Sequence, residues 1–546
     1  MSEPVVRHFR QILIWPLQLM PLGHGQMGRH WELMHAAVQK PGSPWEARST
    51  EFDCPPEEFQ ERHYREFVTF LPYVQRFLYG EGTTEAADAA SWGRSPLHVF
   101  RRTDIKTVRM TYKDGCRWDF RVAHIDLYFF FDIDVAILAF EIMADDMPLR
   151  RAQDAMFRLG RAFPAQWDEE EHASNCPTLV EWLDQHGQVL CESDYQDRRA
   201  FLAHVGEFRS TRMAAHWDHL LHPLVPHHSD EEGAIRYRQL EYHRMPLMAY
   251  LSFDDPFALR DEDFYRLGMV TKPGDGDALP YSPKVFDDFE RQCCYDRFWV
   301  PERRHPATST RMMCNGHAFV LVGMHGNAFF SDPRTGALGQ FRHQHFLLTM
   351  VAHFHKASLL LLRDRLAVAM SQLNIRNEIS VRFFKREIRQ CLEGFLRFNQ
   401  RYWFREVSNQ VLTDQLFQML RRHLDTESLY VDVRDSVQGM NQYLENDDLR
   451  RQADTVVRLT VVTILGMIGT TVTGFLGMNL FDYASQPGAV KFGIFMLAFL
   501  PITLLTFLTV VRSRQLSEFL DGMADQRLRW PAKLLLLGRV FGRLRR

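Results

Sequence analysis

The sequence has no CxxC pair, no Gly-rich phosphate loop ending in Lys-Ser/Thr, no GxSxG or HExxH motif, no internal repeat and no low-complexity tract. Those absences remove positive grounds for redox dithiol chemistry, nucleotide hydrolysis, serine hydrolysis and zinc proteolysis, and no enzyme activity is expected. A formal net charge of −3 over 546 residues gives no global sign of a polyanion partner, and no nucleic-acid partner is expected. The eight cysteines are scattered, which suits reduced thiols in a cytosolic setting better than a disulfide framework. The N-terminal apolar piece is short, holds two prolines and follows no strong basic cluster. It lacks the form of a signal peptide, and Gln11 to Leu19 is read as a first β-strand.

Charge is also missing locally, near the C-terminal end. After Arg458 no charged residue occurs until Asp482, and none occurs from Phe492 to Val511. Each run is about the 20 residues that a helix needs to cross a bilayer of ~30 Å hydrocarbon thickness. The alternative, a pair of buried helices in a soluble domain, would require two such runs side by side in one interior. Arg450, Arg451 and Arg458 precede the first run, and the tail from Arg512 to Arg546 holds nine Arg/Lys against three acids. The positive-inside rule then places both termini in the cytoplasm and the short loop outside.

The division expected is a cytosolic α/β domain at 1–370 with an insertion around 169–311, then long stalk helices at 371–455. A first transmembrane helix follows at 456–481, an outer loop at 482–491, a second transmembrane helix at 492–512 and a basic cytosolic tail at 513–546. Ile125 to Ile142 and His317 to Met324 read as strands, Glu57 to Phe70 and Leu149 to Arg161 as helices. The stalk lacks proline between Ile379 and Thr455 and spaces its apolar residues helically, so its last helix can run unbroken into the first span.

On a helical wheel Leu459, Thr463, Met467, Thr470 and Gly474 form one stripe, and its outer end leads to Asn479. Hydroxyls, a backbone-exposing glycine and an amide suit a wall facing water or ions. The small residues Gly466, Thr470 and Gly474, and Gly469, Thr473 and Gly477, suit close helix packing, and a plain helix–helix interface is the competing use of the same pattern.

Gly477-Met478-Asn479, at the outer end of the first of two C-terminal spans and preceded by long cytosolic helices, resembles the CorA family of divalent-cation channels. Leu459, Met467, Thr470 and Gly474 occupy the positions of that family's pore-lining residues. The resemblance covers about the last 100 residues at motif level. It implies a pentameric funnel in a bacterial-type inner membrane, with Gly477, Met478 and Asn479 as selectivity filter and hydrated Mg²⁺ at Asn479 as the transported ion. A regulatory Mg²⁺ site in the cytosolic part is a further implication. Two features depart from the family: Leu476 stands where an aromatic is common, and the outer loop holds a single acid, Asp482. A less acidic mouth concentrates cations less, and the zinc-transporting branch similar to ZntB shares the motif. Zn²⁺, Co²⁺ and Ni²⁺ therefore stay open as cargo, and so does a non-conducting membrane-anchored sensor or scaffold.

Other candidates are weaker. His216, His219 and His222, with His227 and His228, are dense in imidazole and suit Zn²⁺, but their irregular spacing and lack of a partner motif favour a solvated loop. Cys314 with His317, and the histidines from His343 to His355, are weaker still. Asp132 and Asp134 are expected in a turn or on a solvated strand edge.

Overall fold

The computed structural model describes residues 3–22, 29–48, 61–80, 96–170, 172–240, 244–273, 279–374, 377–477 and 487–511. The chain divides into two compact units, Met1–Val437 and Gln438–Arg546. The first is a mixed α/β structure with one large sheet and many helices.

Fourteen strands make the sheet: β1 (Val5–Leu19), β2 (Trp45–Arg48), β3 (Leu97–Arg102), β4 (Thr107–Thr111), β5 (Arg117–Phe130), β6 (Val135–Pro148), β7 (Leu179–Leu183), β8 (Val189–Glu192), β9 (Leu224–Pro226), β10 (Ile235–Gln239), β11 (Leu247–Phe253), β12 (Cys294–Tyr295), β13 (Arg311–Cys314) and β14 (Ala318–Met324). The spine runs β12-β13-β14-β11-β1-β6-β5-β4-β7-β8. β1 is rich in β-branched, aromatic and long apolar residues, and its second half is buried on both faces, which marks a central strand covered from both sides. Pro16 is tolerated because β1 changes partner there. Its pairing with β11 ends at Leu13 and that with β10 begins at Leu17, so the missing N–H falls in the gap.

The region around 169–311 is not a set of loops about a few helices. It supplies β7 to β12 and the start of β13 to the common sheet, and β11 lies between β1 and β14 with every residue buried. Its strands are short, three to seven residues where they exceed a bridge, so little periodicity marks them. Asp132 and Asp134 do sit in the turn between β5 and β6, but both are buried rather than solvated.

The histidine-bearing stretch at 343–355 belongs to a helix. A short π-helical turn, Phe341–His345, leads into the helix Phe346–Ser371, which lies in the core. Among the described residues, Ala337–Ser371 is the one helix long and apolar enough to cross a membrane by length and composition, yet 83% of its most apolar window is buried within the protein itself. The helices Glu378–Arg401 and Val411–His423 follow. The next helix runs without a break for 52 residues, Thr426–Gly477, and the last is Gly488–Val511, whose apolar portion Gly488–Leu504 is shorter. The seven described cysteines are all free thiols.

Candidate functional site

The Thr426–Gly477 helix has two unlike sides in its C-terminal part. Leu459, Thr463, Met467, Thr470 and Gly474 are all exposed, with Leu459 at 66% and Met467 at 63%. Val461, Leu465, Gly469 and Thr473 recur every four residues on another side and are covered to a greater degree. There the helix meets the final helix: a Cβ on Gly469 would stand 3.0 Å from Ile502 Cγ2, whereas one on Gly466 or Gly474 would meet nothing. Gly469 is therefore the small residue used for close approach, and the hydroxyl-bearing stripe stays exposed among the described residues.

The threonines are oriented by their own backbone. Thr463 Oγ1 donates to Leu459 O at 2.8 Å and Thr470 Oγ1 to Gly466 O at 2.8 Å. Thr473 Oγ1 donates to Gly469 O at 2.9 Å. A hydroxyl whose proton is committed to the preceding turn offers only lone pairs outward. Thr463 and Thr470 thus present acceptor oxygens on the exposed stripe, as a cation or its hydration water requires. Gly477 is the last residue of the helix. Met478 and Asn479 lie outside the described residues.

The three histidines near 220 are not brought together as a ligand set, and the described residues contain no group of three His, Cys, Asp or Glu able to hold a metal. His216 is wholly buried among Trp182, Tyr195 and Trp217, with Nε2 3.2 Å from the Tyr195 hydroxyl. Burial pushes its imidazole down to about 3, so it stays neutral. His219 Nε2 accepts from Arg102 Nη2 at 2.8 Å, while His222 is exposed and its carbonyl accepts from Trp45 Nε1 at 2.6 Å. The rings of His216 and His219 thus serve separate neighbourhoods, and His222 contributes its carbonyl.

The first unit holds ionic residues whose importance the sequence pattern hides. Glu141 on β6 is fully buried, with Arg10 Nη1 at 2.6 Å, His124 Nδ1 at 3.0 Å and Arg342 Nε at 3.1 Å. Burial alone would push its carboxyl up, but His124 and the two guanidinium groups outweigh that and hold it well below the ordinary glutamate range. In the β5–β6 turn, Asp132 takes Arg401 Nη1 at 2.7 Å and the Tyr402 hydroxyl, and Asp134 takes Arg365 and, at 3.3 Å, His30 Nδ1. For Asp134, too, the raising effect of burial is exceeded by His30 and Arg365. The turn thereby fastens the helices Phe346–Ser371 and Glu378–Arg401 to the sheet. The one local signal was the placement of lone acids inside an apolar run, "FFFDIDVAI", since a buried acid requires a cationic partner.

The root of the 52-residue helix is fixed by aromatics. Tyr430 stacks on Trp403 at 4.6 Å and 5°, its hydroxyl donates to Asn399 Oδ1 at 2.7 Å, and the Arg421 guanidinium lies 5.1 Å from the Trp403 ring. Compared with models of known protein families and with curated proteins, the chain matches none.

Proposed function

We propose that the protein is a homopentameric, passive channel for divalent metal cations, Mg²⁺ first among them, in an inner (cytoplasmic) membrane. The observation that carries this reading is the separation of sides on the Thr426–Gly477 helix. Its more covered side meets the final helix at Gly469, while Leu459, Thr463, Met467, Thr470 and Gly474 are exposed on a stripe that runs toward the helix end at Gly477, the residue before Met478 and Asn479 in the sequence. From Leu459 to Gly477 the helix rises about 27 Å, close to the ~30 Å of a hydrocarbon core. Two helices cannot enclose a path, so several copies must turn this stripe to a common axis.

The chemistry of the stripe fits such a path. Mg²⁺ keeps its water and prefers oxygen ligands. A ring of neutral Asn479 amides at the mouth would hold the hydrated ion loosely enough for it to leave. Thr470 and Thr463 would accept hydrogen bonds from its hydration shell, and Met467 and Leu459 would form apolar constrictions able to dewet. A potential of about 100 mV acting on two charges supplies roughly 4.6 kcal/mol, which drives inward flow without nucleotide hydrolysis.

The test is cation flux into liposomes holding the purified protein, with Mg²⁺, Co²⁺, Ni²⁺ and Zn²⁺ in parallel. Mg²⁺ is expected to pass down its gradient, and Asn479→Ala to abolish discrimination among the cations. Zn²⁺ preference driven by a pH gradient would favour the ZntB-like reading. Assembled oligomers that pass none of the four ions would favour a membrane-anchored sensor.

A further inference from the structure

The first unit contains a cavity of about 660 Å³ lying between the helices Arg198–Phe208 and Ala215–Leu221, β9 and the loop before β10. That is ligand-sized. Its acids are Asp218, Asp230 and Glu231, and Phe208, Met213 and Leu224 supply apolar wall. The single cation in the lining, Arg212, is already engaged by Asp194 at 2.7 Å. Asp218 Oδ1 is buried and has no hydrogen-bond partner. A second cavity, of about 640 Å³, makes a useful contrast. Its acids are matched: Arg7 reaches Asp146 at 2.9 Å and Asp254 at 2.6 Å, and Asp145 is taken by His8 and Arg121. Each acid of the second cavity has a guanidinium in contact, whereas Asp218 in the first has Oδ1 without a hydrogen-bond partner.

We infer that the cavity around Asp218 binds a small organic cation, an aliphatic amine whose ammonium group pairs with Asp218 and whose stem lies on Phe208, Met213 and Leu224. A bare metal fits poorly. The cavity is far larger than an ion, and the described residues offer no cluster of metal-ligating geometry. The imidazoles of His204 and His219 are pushed down from their ordinary value, chiefly by burial and then by Arg212 and Arg102 respectively, so neither competes as a cation near neutral pH. The Asp218 carboxyl is pushed up to about 6, by burial first and by Glu231 next, against the opposing charge of Arg212. The other groups that face it are Asp194, His222, Asp230 and, from β10, the buried Tyr237 hydroxyl. Near and below that value an ammonium ion would restore the charged carboxylate and expel its proton; above it the ion pairs with a carboxylate already charged.

The inference is independent of transport and is tested by titration calorimetry on the full chain in micelles, with putrescine as probe and MgCl₂ and ZnCl₂ as comparisons. Putrescine is expected to bind above the Asp218 value without net proton release, and to release a proton as pH falls to that value, so that only there does the heat depend on the ionisation enthalpy of the buffer. Binding is expected to weaken below that value. Asp218→Asn should weaken binding by about tenfold or more, and the exposed Glu231→Gln by a smaller factor. Misfolding is distinguishable. A carboxyl with a raised folded value favours folding only below that value, so at higher pH the unliganded Asp218→Asn protein should melt no lower than the parent. Absence of putrescine binding, equal binding by Asp218→Asn, or binding of Zn²⁺ alone would each overturn the assignment.

Discussion

The helices Phe346–Ser371 and Gly488–Val511 are both apolar, and their surroundings differ completely. The first buries sixteen residues in its own unit, Phe354 and Leu359 among them at 0% exposure. The second leaves Phe492, Leu497, Leu500 and Leu504 exposed at 59% or more. Apolar composition alone is therefore no guide to a membrane. What separates the two is whether the protein itself supplies the cover. An exposed apolar surface of this extent calls for lipid or further copies. The polar groups differ too: in the first unit guanidinium and imidazole surround Glu141, Asp132 and Asp134, and in the second Thr463 and Thr470 present exposed hydroxyl oxygens.

The largest expected effect sharpens that division. Glu141→Ala removes the carboxylate shared by Arg10, His124 and Arg342 and should cost about 3–5 kcal/mol, since it strands buried charge. Denaturant unfolding of the full chain followed by tryptophan fluorescence should show the loss, and under the proposed function the fraction resisting carbonate extraction should be unchanged. The pH dependence follows the same residues. Glu141 and Asp134 have folded values below their unfolded ones, so their stabilisation is complete above the ordinary carboxylate range and drains as pH falls through and beneath it. Loss of membrane association with Glu141→Ala would show that the two units do not behave separately.

A charge placed on the final helix attacks the other half of the comparison. Leu500→Arg lies on an exposed position, and at the centre of a membrane span arginine costs about 2.5–3.5 kcal/mol. A lower fraction resisting carbonate extraction is expected, with the melting of the first unit unmoved. Were the C-terminal unit a water-soluble bundle, the same substitution would leave fractionation as it was.

Several local elements were legible in the sequence. The second half of β1, the strand character of Ile125 to Ile142 and the helix at Leu149–Arg158 are local patterns of period two or 3.6. The exposed stripe followed from spacing alone. The unity of the sheet was not legible: β1 pairs with β11 across more than 200 positions, as Leu13 with Leu247, and nothing local announces such a partner. The same holds for Glu141, whose charge partners come from β1, β5 and the π-helical turn. The core helix was obscured by its histidines, which suggested ligands, whereas His355 is buried with Nε2 against the Tyr402 carbonyl. Asp218 carried no signal either, because a deficit of compensating charge exists only once the chain is folded.

The smallest expected effect tests the candidate path at the resolution of one residue. Thr470 and Thr473 sit one turn apart on the same helix, and both donate to the preceding turn, at 2.8 Å to Gly466 O and 2.9 Å to Gly469 O. Valine keeps the β-branched shape, so either substitution should change stability by only about 0.5 kcal/mol. Their surroundings are not the same: Thr470 is exposed on the stripe, and Thr473 lies on the side that meets the final helix. If the stripe lines a cation path, Thr470→Val removes one acceptor oxygen per subunit from it and lowers Mg²⁺ flux several-fold, while Thr473→Val leaves flux near that of the parent. Equal behaviour of the pair in the liposome assay, in either direction, would mean that the exposed side of this helix faces lipid and that any path lies elsewhere.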